Sequence, residues 1–236
     1  MRLRFVHFLL LAPLCLAQGP NQLSPEEKSA GWKLLFDGAT TDGWTEVTGL
    51  PFPASWKIED GCLKAIPNPR DMQDIRTVDK FKSFDFQFEW KLAKGGNSGV
   101  KYLVQKTDRW QRRSESGWQA RARGLEYQIV DDNNNEDALS AKTRVTASLY
   151  SYIAPAKRLQ LDLNIFHKSR ILRNGNQVEH WLDGEKVLEF ELTDPIVRAA
   201  LLSIGKSASA SEESFLSLQN HDSDVWFRNL KIRRLD

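Results

Sequence analysis

Gly124 to Asp132, GLEYQIVDD, places three acids and an amide on one short segment. Leu125, Tyr127 and Ile129 alternate with Glu126, Gln128 and Val130. Side chains two apart on a strand share a face, so Glu126 and Gln128 point together, away from the apolar row. A bulge after Ile129 would turn Asp131 onto their side. The same period puts Asn97, Gly99 and Lys101 on one face of the preceding strand, which offers a cation beside an amide. His221 follows an apolar strand and precedes Val225-Trp226-Phe227, a strand-end position where imidazole can serve as base or metal ligand. Carboxylate, ammonium and imidazole together suit proton transfer. They also leave a hard divalent metal open, with Glu126, His221 and His167 as candidate ligands. A sheet face that is merely solvated shows the same alternation.

The elements that must position these groups are almost all strands. Phe84, Phe86, Phe88, Trp90 and Leu92 alternate with polar residues, the clearest period of two in the chain. Strands are expected at Trp32 to Phe36, Trp56 to Leu63, Ser98 to Gln105, Leu159 to Phe166, Ser169 to Arg173, Val178 to Leu182, Lys186 to Leu192, Leu201 to Ile204, Phe215 to Gln219 and Val225 to Ile232. Asn174-Gly175 and Asp183-Gly184 mark tight hairpin turns. Ser24-Pro25-Glu26-Glu27 is a capping box that starts a short helix ending near Gly31. With no long amphipathic helix for parallel crossovers, the expected fold is an all-β, two-sheet antiparallel jelly-roll sandwich with a short N-terminal helix.

Two polar segments break the rhythm and read as loops: Asp131 to Lys142, and the arginine-rich stretch Thr107 to Arg123. Trp110 and Trp118 on the latter could stack on a sugar ring or simply pin the loop. Tyr150 and Tyr152 in ASLYSYIAP are candidates for rim contacts or a phenolic acid. Arg228 is expected to pair with a carboxylate inside the sandwich, and His180 to lie at the surface.

Arg2 and Arg4 precede an apolar run from Phe5 to Leu16 and small Ala17, the pattern of a secretory signal peptide too short to span a bilayer. Residues 1–17 are read as that signal, 18–30 as an N-terminal segment with the short helix, and 31–236 as the sandwich domain. A lipid anchor at Cys15 is the rival, though Ala12 stands where a leucine is usual. Secretion or export to a periplasm is expected either way, with no membrane insertion after cleavage. Cleavage removes two of 33 basic residues and leaves 31 against 31 acidic ones, a balance with no electrostatic pull toward nucleic acid. Cys62 is then the only cysteine, so an internal disulfide is excluded.

Seven strings in order carry a resemblance over nearly the whole mature chain. They are GWKLLFDGATTDGW (Gly31 to Trp44), WKIEDGCL (Trp56 to Leu63), FDFQFEWKLAKGGNSGVKY (Phe84 to Tyr102), GLEYQIVDD, ASLYSYIAP (Ala147 to Pro155), GNQVEHWLDGEKVLEFEL (Gly175 to Leu192) and SLQNHDSDVWFRNLKIRRL (Ser217 to Leu235). The chain resembles the 3-keto-disaccharide hydrolase domain family of bacterial secreted proteins. Departures fall at Phe166-His167, where the family has Trp-Asn, and at Asn220-His221-Asp222, where it often has Asp-His-Gly.

The resemblance implies a concanavalin A-like lectin/glucanase sandwich. It also implies cleavage of a glycoside whose ring carbon 3 has been oxidised by a partner sugar 3-oxidoreductase. Such a reaction needs a base, a cation or metal near the enolate oxygen, and an acid for the leaving group. Glu126, Asp131, Lys101 and His221 are the catalytic candidates on this reading, with Asn97, Gln128, Tyr150, Trp110 and Trp118 holding the sugar. Glucanases of this sandwich carry Glu-x-Asp-x-x-Glu; here Gln128 occupies the middle position and cannot ionise. A non-catalytic carbohydrate-binding module of the same fold is the alternative, and a surface interaction domain a third.

Overall fold

The computed structural model describes residues 19–112, 117–205 and 212–236. The expected signal peptide lies outside them. In chain order the strands are β1 (Trp32–Leu34), β2 (Trp44–Glu46), β3 (Trp56–Glu59), β4 (Cys62–Ala65), β5 (Met72–Gln73), β6 (Ile75–Thr77), β7 (Phe84–Leu92), β8 (Asn97–Gln111), β9 (Trp118–Val130), β10 (His167–Asn174), β11 (Gln177–Leu182), β12 (Glu185–Glu191), β13 (Ser217–Leu218) and β14 (Val225–Arg234). The helices are α1 (Pro25–Ser29), α2 (Glu136–Ser140) and α3 (Pro195–Ile204). The capping box at α1 is present: Glu27 N–H donates to Ser24 Oγ at 3.1 Å, and Ser24 N–H to Glu27 Oε2 at 2.9 Å.

Two sheets face each other, as the alternation of apolar residues requires. One runs β12-β11-β10-β7-β14-β4-β3, with β1 also on β14; the other runs β2-β6-β13-β8-β9-β5. All pairings are antiparallel except β5 with β9. Phe84, Phe86, Phe88, Trp90 and Leu92 are all buried, and Phe88 meets Tyr127 of the opposite sheet edge-on with ring centroids 5.7 Å apart. Each such aromatic removes 150–250 Å² from water, as large aromatics generally do, so this row dominates the cohesion of the sandwich.

Several expectations change. Leu159 to Phe166 forms no strand and turns at Leu163 and Asn164, and Leu201 to Ile204 is the end of α3. That helix begins on an Asp194 cap followed by Pro195 and buries Val197, Ala200 and Leu201. The short apolar run fits a buried helix face as well as a strand. Thr107 to Gln111 and Trp118 to Arg123 are not loop: β8 and β9 continue through them as a two-stranded ribbon, paired from Lys106 with Arg123 to Gln111 with Trp118. A ribbon with polar residues on both faces has no apolar alternation to reveal it. Asp131 to Lys142 contains α2.

His180 is fully buried, not superficial. Val178, His180 and Leu182 are two apart, so all three face inward. The imidazole bridges the sheets, with Nε2 2.7 Å from the Tyr102 hydroxyl and Nδ1 3.0 Å from Ala147 O. Arg228 pairs with Glu89 at 2.8 Å as expected, but on the outer face of the larger sheet rather than inside.

Candidate functional site

The outer face of the smaller sheet holds a cleft of about 270 Å³. Its floor is the junction of β13, β8 and β9, where Lys101 lies opposite Glu126 and Gly99 opposite Gln128. Because Val100, Tyr102, Leu125, Tyr127 and Ile129 are committed to the core, the intervening polar side chains must emerge on this face. Between Tyr102 and Lys106 the β8–β9 register shifts. A bulge bends a strand and adds twist, and beyond this one the ribbon brings Arg121, Arg123 and Trp110 to the cleft. Gly124, opposite the bulge, cannot be larger: a Cβ would strike Tyr102 O and Val104 Cα. Along the free side of β9, Ala147 N–H donates to Gln128 O at 2.9 Å and Tyr150 N–H to Glu126 O at 3.0 Å, which sets Tyr150 at the rim.

Lys101 Nζ stands 3.7 Å from Glu126 Oε2 and 3.4 Å from Asp74 Oδ2. Asp74 is fully buried and also binds the Arg121 guanidinium, Ala122 N–H at 3.1 Å and Asn220 N–H at 3.3 Å. Burial raises the pKa of Glu126 above the ordinary carboxylate value, with Lys101 opposing and Asp74 adding to the rise. His221, exposed at the mouth, has its pKa lowered by desolvation against the cleft wall and then by the Arg121 charge. Burial, followed by a hydrogen bond to Asp137, pushes the Tyr150 phenol up to about 12. At neutral pH the cleft therefore offers a neutral imidazole, a carboxyl that holds its proton more readily than usual, a protonated phenol, the Asp137 side chain and three cations, Lys101, Arg121 and Arg123.

Gly99 leaves the space over which the Glu126 carboxylate lies, since a Cβ there would collide with Glu126 Oε1. On either side of it stand Gln128 and Gln219, and the side-chain oxygen of each is buried without a hydrogen-bond partner. Gln128 Nε2 donates to Asn97 Oδ1 at 3.3 Å.

Lys101, Glu126, His221, Asn97, Gln128, Tyr150 and Trp110 thus meet in one cleft. Asp131 does not join them. No bulge follows Ile129, since Asn97 pairs with Val130 in register. The Asp131 carboxylate accepts from Gly95 N–H at 2.7 Å, Asn133 N–H at 3.0 Å and Asn134 Nδ2 at 2.8 Å, which ties down the turn after β9. Trp118 lies against Arg109, 5.1 Å from its ring, and pairs in register with Gln111, one step from the Trp110–Gln119 pair and so on the other face of the ribbon. Tyr152 hydrogen-bonds Ser203 at 2.8 Å, away from the cleft.

His167 belongs to the other sheet, bound to Asp183 at 2.7 Å and to Asp162 O at 3.0 Å, so it cannot share a metal with Glu126 and His221. Among the described residues no three His, Cys, Asp or Glu side chains gather to hold a metal ion.

Arg121 and Gln219 line the cleft and buried Asp74 holds its Lys101 and Arg121, but none of the three carried a signal in the sequence. Asp74 sits between two very short strands without periodicity, and Arg121 is one of several arginines in a stretch with no apolar row. Gln219 could be placed only by the pairing of Ser217 with Lys101.

A larger recess of about 480 Å³ opens on the outer face of the other sheet beside Arg170, Trp181 and Lys231. Most of its charges are already matched: Arg170 to Asp85 at 2.7 Å, Glu89 to Arg228 at 2.8 Å, and Lys231 to Glu27, while Lys168 also lines it. The smaller cleft is the chemically open one.

Residues 31–233 match the 3-keto-alpha-glucoside-1,2-lyase-like domain family. A 3-keto-disaccharide hydrolase from Bacteroides thetaiotaomicron is 33% identical over 230 residues, covering 87% of this chain and 79% of the relative. A solved structure from Parabacteroides distasonis, provisionally named a glycosyl hydrolase, superposes with a TM-score of 0.77 at 28% identity, covering 92% of this chain and 100% of that one. A second structure from the same organism, named in the same way, gives 0.62 at 22% identity over 86% of this chain and 99% of its own, a likeness of fold.

Proposed function

This chain belongs to the 3-keto-alpha-glucoside-1,2-lyase-like family, and we propose that it is an exported enzyme that cleaves glycosides already oxidised to a ketone at ring carbon 3. The observation that carries this reading is the meeting of Lys101, Glu126 and His221 in one cleft whose polar groups are incompletely paired. The named activity of the Bacteroides thetaiotaomicron relative supports it.

The ketone acidifies the hydrogen on carbon 2. His221, kept neutral by its lowered pKa, removes that proton, and negative charge gathers on the ketone oxygen, where Lys101 with Arg121 behind it stabilises the enolate. The enolate re-forms the ketone, a double bond closes between carbons 1 and 2, and the bond from carbon 1 to the glycosidic oxygen breaks. Glu126, whose raised pKa helps it retain a proton, delivers that proton to the departing oxygen. Water then adds across the double bond and frees the 3-keto sugar, so the two steps sum to hydrolysis.

A double displacement on an unoxidised glycan would need a nucleophilic carboxylate beside Glu126. Gln128 stands at the glucanase position instead, Asp131 faces away, and the other acid lining the cleft, Asp137, is paired with Arg144 at 2.8 Å. The substrate must be supplied by an oxidoreductase acting on carbon 3 of the sugar, and the leader-like residues 1–17 would bring the enzyme to the same exported compartment.

Incubation with a 3-keto-disaccharide in deuterated water tests the route. Elimination followed by hydration places solvent deuterium on carbon 2 of the released sugar. Release with the original hydrogen retained would mean direct hydrolysis, and binding without release would assign a carbohydrate-binding module.

A further inference from the structure

Gln128 and Gln219 flank Gly99 in neighbouring strands. Gln128 is its register partner on β9, and Gln219 N–H donates to Gly99 O at 2.9 Å from the β13 side. Gln128 is 1% and Gln219 7% exposed, and both line the cleft. The side-chain oxygen of each is buried with no donor. A buried acceptor left unpaired is costly, and two of them on cleft-lining residues, either side of a residue without a side chain, describe half of a hydrogen-bonding arrangement. The missing half is a pair of donors on the ligand.

We propose that Gln128 and Gln219 form a two-acceptor cradle that reads two hydroxyl groups of the oxidised ring, and so act as specificity-determining residues. This rests on the function proposed above. The chemistry of the surroundings selects the donor. An anion is repelled by bare amide oxygens. A metal cation would have to share the space with Lys101, 3.7 Å from Glu126, and with Arg121. A neutral hydroxyl meets neither objection, and Trp110 at the rim supplies the apolar face that a sugar ring presents to an aromatic. The ligand is therefore a ring with free hydroxyls on the side lying against β9 and β13, and derivatives in which these are absent or alkylated should be poor substrates.

Binding of 3-keto-glucose is compared with that of its 4-deoxy, 6-deoxy and 4-O-methyl counterparts, by calorimetry, for the unaltered protein and for Gln219→Leu, Gln128→Leu and Gln219→Glu. At least two of the three altered ligands should bind the unaltered protein on the order of tenfold more weakly than the parent. That penalty should vanish in whichever leucine variant has lost the matching acceptor, while Gln219→Glu, which keeps an acceptor oxygen of similar reach, should retain it.

Should a leucine variant fail to fold, the penalties in the unaltered protein and in Gln219→Glu still decide the matter. Equal binding of all four ligands by the unaltered protein overturns the cradle, as does an undiminished penalty in both leucine variants. If 3-keto-disaccharides are cleaved normally while the penalties are absent, the cradle falls and the proposed function stands. If the penalties are present but no sugar is released, the function falls and the cradle stands.

Discussion

Each outer face of the sandwich is organised around a buried aspartate held by two cations, and the two faces resolve that motif differently. On the larger sheet Asp85 takes the Arg170 fork at 2.7 and 2.8 Å and Arg233 at 3.3 Å. Glu89 takes Arg228 beside it. A fork on a carboxylate satisfies both partners in direction as well as charge, and such a face has little left to offer a ligand. On the smaller sheet Asp74 takes Arg121, but Lys101 is left between Asp74 at 3.4 Å and Glu126 at 3.7 Å, distances long for charged hydrogen bonds. Two amide oxygens nearby have no donor, and Glu126 has its pKa raised. Opposite charge alone does not distinguish a site from a structural face. The weak hold on Lys101, beside a carboxyl whose pKa is raised, does.

The comparison can be broken by making the same change on both faces. Glu126→Gln should lower the cleavage rate of a 3-keto-disaccharide by about two to four orders of magnitude, the usual cost of losing a proton-transfer group. Glu89→Gln should leave the rate within about twofold, because the partly buried pair it breaks lies on the other sheet, away from the cleft. Steady-state kinetics on both proteins decide it, and equal losses would dissolve the distinction.

Asp74→Asn and Asp85→Asn sharpen it further. Each leaves buried or half-buried cations uncompensated, at a cost of about 3–5 kcal/mol in urea unfolding. Only the change at Asp74 should also reduce kcat in the fraction that remains folded, because only there do the cations, Lys101 and Arg121, line the cleft.

A smaller effect separates the core between the sheets from either face. Burial holds the His180 pKa down to about 4 from the ordinary 6.5. Above 6.5 His180 is neutral whether the chain is folded or not, and its contribution is fully present. As pH falls from 6.5 toward 4 the unfolded chain takes up a proton that the native protein does not, so stability is lost through that window. Between about pH 7 and pH 5 the unaltered protein should lose about 2 kcal/mol more than a His180→Gln variant, read from urea midpoints at the two pH values. No difference between them would mean that the imidazole is not held neutral.

Where apolar alternation was strong the sequence was readable. The Phe84 to Leu92 strand, the Glu126 and Gln128 face and the two-sheet architecture follow from a period of two. It misled where a polar ribbon had no apolar row, at Thr107 to Arg123, and where a short apolar run suited two structures, at Leu201 to Ile204. Asp131 faces away because the strand simply ends where a bulge would have turned it inward, and His180 lies in the core because it shares the inward period of Val178 and Leu182 on β11. Asp74 and Gln219 were invisible because their roles depend on which strands lie side by side, and only the packed sheet settles that.

The account turns on the sugar lying against the smaller sheet. Amide and indole shifts of the labelled protein, followed while 3-keto-glucose is added, test this most directly. The largest changes should fall at Gly99, Glu126, Gln128, Gln219 and the Trp110 indole, while Glu89, Arg170 and Trp181 stay still. Changes concentrated at Glu89, Arg170 and Trp181 would place the ligand on the paired face and contradict the account.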